Sequence, residues 1–128
     1  MLFFYNFLYF YFWRHIFKQV LAFKTILVMK SKKKELERIA EDATTDCYGE
    51  HEQIGGWCAF LQSEIDLPCK CFVDNKEALL IDFDTNKMSS ALFAIIKIDN
   101  YKFRVDPETI TIPDKKYSKY LEAYKNWM

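Results

Sequence analysis

The hydrophobic period of this chain changes once, at Pro68, and the change limits it to helices first and strands afterwards. Upstream of it, Leu36, Ile39, Ala40 and Ala43 recur at i, i+3, i+4 and i+7, while Glu35, Glu37, Glu41 and Asp42 fall elsewhere on the surface. That spacing predicts a helix from Lys32. Thr44 and Thr45 are weak helix formers and Gly49 interrupts the pattern, so a tight turn belongs between residues 44 and 50. Ile54, Trp57, Cys58, Leu61 and Ile65 then mark a second helix, which Pro68 ends. Gly55 and Gly56 near its first turns cost about 1 kcal/mol each in helix propensity. Their presence implies that a neighbouring backbone or side chain comes very close.

Beyond Pro68 the runs CKCFV, ALLIDFD, ALFAIIKI, YKFRV and TITI are short and β-rich, and turn residues separate them. Asp99-Asn100 between two of these runs predicts a hairpin. Strands of this length and number close into a small barrel or a curled sheet. Pro113-Asp114 opens a third helix, with Asp114 as its cap and Tyr117, Tyr120, Leu121, Tyr124 and Trp127 along one face. The expected class is α+β: an N-terminal helix pair packed on a small antiparallel β-sheet or partly closed barrel, with a C-terminal helix.

Residues 1–28 obey other rules. They hold 11 of the chain's 23 aromatic residues and contain Arg14, Lys18 and Lys24 without a single acid. A transmembrane helix needs about 20 mostly apolar residues, and here the charge-free run ends at Trp13. Neither a basic start nor a small-residue cleavage site marks a secretory signal. The segment therefore reads as a membrane-associating helix, as a marginal anchor, or as mistranslated AT-rich sequence ahead of a natural start at Met29. The last reading is favoured, which leaves 29–128 as a single functional domain.

Net charge is zero, but beyond residue 28 there are 18 acids against 15 bases, a net of −3. Such a balance argues against nucleic acid as the main partner. Cys47, Cys58, Cys69 and Cys71 lack paired C-x-x-C spacing, so they read as reduced, mostly buried thiols of a cytoplasmic protein. A Cys/His metal site through His51 is the less favoured reading. His15 and His51 sit in no catalytic signature, and Gly49, Gly55 and Gly56 form no phosphate-cradling loop. No enzyme is expected.

Carboxylates carry the remaining chemistry. Glu41, Asp42, Asp46, Glu50 and Glu52 crowd the predicted turn together with the hydroxyls of Thr44 and Thr45. Calcium takes about six to eight oxygen ligands of these kinds, although acids near helix starts are common on wet surfaces for ordinary reasons. A second acidic string, Asp82-Phe83-Asp84-Thr85-Asn86, matches the opening of an EF-hand loop. It then fails at Lys87, where glycine is required, and at Phe93, where glutamate is required. It reads as a strand with outward acids.

The segment ERIAEDATTDCYGEHEQIGGWCAFLQSEIDLPCKC resembles the hallmark stretch of the CcbP-like calcium-binding proteins, a family first described in cyanobacteria. The matching positions are Asp46, Tyr48, Glu50, Glu52, Gly56 and Trp57, with Phe60, Leu61 and Pro68 following. The close match covers residues 37–72 and a looser one reaches Ile112. The resemblance implies calcium (Ca2+) binding without an EF-hand, in a buffering or sensing role. It implies Asp46, Glu50 and Glu52 as ligands, Asp42 as an outer one, and Trp57 and Tyr48 as core residues that fix the turn. The alternative is a non-catalytic protein-interaction module with a small β-barrel, which an exposed aromatic patch on the third helix would favour. Membrane association rests on residues 1–28 alone.

Overall fold

A computed structural model describes residues 2–86, 88 and 90–128, with side chains described from residue 12 onward. The first helix, α1, runs Leu2–Ala43, and the chain divides into two compact units, Met1–Glu35 and Leu36–Met128. In the first unit Phe12, Trp13, Phe17 and Phe23 are all exposed. The side chains of residues 2–11, where the Phe and Tyr of the N-terminal segment are densest, lie outside the described residues. Among the described residues no helix is long and apolar enough to cross a membrane.

The second unit holds α2 (Glu50–Glu64), β1 (Cys69–Val73), β2 (Lys76–Thr85), β3 (Leu92–Ile98), β4 (Tyr101–Val105), a 3-10 turn at Pro107–Thr109, β5 (Ile110–Thr111) and α3 (Lys115–Trp127). The strands form one sheet in the order β4-β3-β2-β1-β5, with every neighbouring pair antiparallel. It stays open rather than closing into a barrel. Its two edges are guarded in ways that make closure unnecessary: β5 has two residues, and β4 exposes Lys102 and Arg104.

Local chemistry sets the hairpins. Asp74 and Asn75 both take positive φ, 48° and 65°, between the paired residues Val73 and Lys76. Asp and Asn visit this region more readily than other side chains, and a two-residue hairpin needs it. Asp99, at φ 55°, does the same between β3 and β4. One irregularity matters for the core. Pairing along β2 shifts between Leu80 and Asp82, a bulge that moves the buried set from Ala78 and Leu80 to Phe83. The alternation of ALLIDFD is thus broken in the sequence yet continuous on the core face.

The core lies where α2 and α3 cover the sheet. Trp57, Leu61, Cys71, Leu80, Ala94, Ile110 and Ala123 are completely inaccessible. Around Trp57 stand Phe60, Tyr124 and Trp127, with ring centroids 5.9, 5.4 and 5.8 Å away. Such aromatic pairs add about 0.5–1.5 kcal/mol beyond their burial. Among the described residues the indole Nε1 of Trp57 is sealed without a hydrogen-bond partner. Asp114 caps α3 by accepting from the Lys116 amide at 3.0 Å. The Tyr117 hydroxyl donates to Asp66 at 2.7 Å, tying α3 to the segment after α2.

Candidate functional site

The α1–α2 turn is built from its threonines. The last carbonyls of a helix lack amide partners, and here side chains help supply them: Thr44 Oγ1 donates to Ala40 O at 2.8 Å and Thr45 Oγ1 to Glu41 O at 2.9 Å. Asp46 then reverses the chain in the left-handed region, at φ 60°, a position that asparagine and aspartate tolerate. The amide of Cys47 returns to Thr44 O at 3.0 Å. The turn can be this tight because α2 presents Gly56 to it. A Cβ there would stand 2.8 Å from Ala43 O and 2.8 Å from Cys47 Sγ. The close approach expected at the Gly55-Gly56 pair is therefore real and belongs to Gly56 alone; Gly55 has open space.

Each anticipated ligand has its own setting. Asp42 is exposed on the last turn of α1, and Asp46 is exposed just beyond it. Glu52, the third residue of α2, bends back so that one carboxylate oxygen accepts from the Tyr48 amide at 3.0 Å. The amide lies one residue ahead of the Gly49 N-cap, so the bond differs from that of a capping box, and Gly49 has no side chain to cap the helix itself. Glu50 sits at the start of α2 and lines a cavity with Asp106. Among the described residues no three His, Cys, Asp or Glu side chains converge as a metal-binding group, and His51 joins no cysteine in one.

Tyr48 requires a correction. Expected in the core, it is 88% exposed, because its backbone is held by Glu52 ahead of the helix and its ring lies outside the contact between helix and sheet. Trp57, the other expected core residue, is fully buried. The string around Asp82 and Asp84 is a strand, as its pattern indicated. Asp82 accepts from Gln62 at 3.0 Å and from the Phe83 amide at 2.8 Å, and Asp84 pairs with Arg104 at 3.2 Å. Lys87, which breaks the EF-hand pattern, lies outside the described residues.

The electrostatics of the turn are uneven. Glu50 and Glu52 occupy the first turn of α2, where the helix dipole welcomes acids. Glu41 and Asp42 occupy the last turn of α1, which contains no base, and Asp46 follows. There the dipole is negative and cations are the favoured neighbours. Carboxylates, threonine hydroxyls and turn carbonyls are the hard oxygen donors that calcium takes. The donor chemistry of the turn fits such an ion.

Residues 37–128 match the family model described as calcium binding, that of CcbP. No curated relative matches the chain. Two solved structures share the fold, each with a TM-score of 0.62 and 12% identity over 74% of this chain and 89% of the other. They are the crystal structure of CcbP from Anabaena and a calcium-binding protein in the calcium-binding form.

Proposed function

This chain belongs to the CcbP family of calcium-binding proteins, and from that premise we propose that calcium is held at the α1–α2 turn, by Asp46, Glu50 and Glu52 with Asp42 as an outer ligand. The observation that carries the reading is the stacking of Glu41, Asp42 and Asp46 at the negative end of α1 with no base in its last turn. Acids in that position oppose the dipole, typically by about 0.3–1 kcal/mol each at exposed sites. A divalent cation reverses the sign of that interaction. Glu52 keeps one oxygen for a ligand while the other holds the Tyr48 amide.

The proposed role is buffering or sensing of the ion by the domain 29–128, without catalysis and without nucleic acid as a partner. The family match begins at residue 37 and lies wholly inside that domain. The four free cysteines favour a reducing, cytoplasmic setting. The alternative of an aromatic docking face on α3 loses its support. Tyr124 is 2% exposed, and Tyr117, Tyr120 and Trp127 pack against the core rather than forming a free patch.

A thermal melt of the full chain with chelator, with calcium and with magnesium tests the assignment. Calcium is expected to raise Tm by several degrees, and the pair of substitutions Asp46→Asn and Glu50→Gln to remove the rise. An undiminished rise in that double variant places the ion elsewhere.

A further inference from the structure

A cavity of about 400 Å³ opens between the start of α2, the start of β3 and the end of α3. Its volume lies in the range of small-molecule sites, roughly 300–1,000 Å³. Leu92, Phe93, Tyr124 and Trp127 supply an apolar and aromatic interior, and Glu50 and Asp106 supply carboxylates from two separate elements. No Lys, Arg or His is among its described lining residues. Both carboxylate residues are exposed, whereas Leu92 and Tyr124 are buried, so the site has an acidic rim and an apolar floor.

We propose that this cavity binds a small organic ammonium ion, with the charged head at Glu50 and Asp106 and the apolar body against Tyr124 and Trp127. Three features select this ligand class. The rim carries charge of one sign, which favours cations and repels carboxylates of similar size. Trp127 and Tyr124 lie against each other, ring centroids 6.2 Å apart at 33°, and together give the organic body an aromatic surface to cover. Tyr124 lines the cavity and is 2% exposed. Burial, then Asp106 and Glu108, push its phenol up to about 12, and like any phenol it is uncharged at neutral pH and able to donate or accept. An inorganic cation would leave the apolar floor uncovered; an alkyl or aryl amine covers it. The proposal does not rest on the calcium reading, and only Glu50 is common to the two.

The test is a titration of the full chain, in excess chelator, with hexylammonium, hexanol and hexanoate, followed by tryptophan fluorescence and by Tm. Hexylammonium is expected to bind about threefold to tenfold more tightly than hexanol, the span that two exposed ion pairs provide. Hexanoate is expected to bind more weakly than either. Asp106→Asn keeps an oxygen for the Glu108 amide that Asp106 now caps at 3.0 Å and should erase the preference for the amine. Equal binding of the three probes, no binding, or an unchanged preference in Asp106→Asn overturns the proposal. A loss of the calcium response in Asp46→Asn with amine binding intact would show that the two sites stand or fall separately.

Discussion

Asp46 illustrates how one residue serves two demands. Its backbone takes φ 60° to end α1, and its carboxylate adds to the negative end of the helix. Asparagine accepts the same backbone conformation, so Asp46→Asn removes the charge without straining the turn, which makes it the cleaner half of the calcium test. Tyr124 offers a second reading at this scale. Burial first, then Asp106 and Glu108, raise its phenol from 10.0 to about 12 in the folded protein. A folded-state pKa above the unfolded one contributes stability that is complete below pH 10 and is lost as pH rises through about 12. Tyr124→Phe should therefore leave stability at pH 7 within about 1 kcal/mol of the parent, since none of the hydrogen bonds among the described residues involves its hydroxyl. Urea midpoints at pH 8, 10 and 11 should fall less steeply in the variant; a parallel fall would assign the alkaline loss to other groups, including Tyr117, whose bond to Asp66 raises it similarly.

At the level of elements, the decisive contact is that of α2 with the end of α1. Gly56 lets the two approach until a Cβ would stand 2.8 Å from a backbone oxygen. A backbone oxygen cannot swing aside as a flexible side chain does. Gly56→Ala gains helix propensity, about 1 kcal/mol, but must push the helices apart at an overpacking cost of about 1–3 kcal/mol. The expected net result is a lower Tm and weaker calcium stabilisation, because the turn that carries Asp46 moves. Gly55→Ala, with nothing within 4 Å of its Cβ, should instead raise Tm. The two substitutions, measured side by side by thermal melt, separate close packing from propensity; a stabilised Gly56→Ala would refute the packing argument.

For the molecule as a whole, calcium and folding form one linked equilibrium. An ion that binds only the folded state at about 100 times its Kd stabilises by about 2.7 kcal/mol, and about 4–8 °C accompanies each kcal/mol in a domain of 60–100 residues. The mild charge of −3 beyond residue 28 and the lack of three convergent ligands among the described residues place the expected affinity at the weak end, since affinity follows ligand charge count and rigidity. Magnesium demands near-octahedral ligands and dehydrates reluctantly, so its effect on Tm should be smaller than that of calcium at equal concentration.

Much of this was legible in the chain itself because the relevant signals are local. The change of period at Pro68, the threonine-rich turn, the Asp114 cap and the Asp99-Asn100 hairpin are each set by neighbours a few residues apart, and α2, α3, the strands and the α+β class follow from them, whereas the helix expected from Lys32 starts at Leu2. The acidic turn was equally visible, as a run of carboxylates. Only the tertiary structure decided that the sheet stays open, that a bulge after Leu80 carries Phe83 into the core, that Tyr48 faces water, and that Glu50 and Asp106 line one cavity. Those outcomes depend on which distant segments come to lie side by side, and nothing in the neighbourhood of Glu50 or Tyr48 encodes what the rest of the chain will place against it.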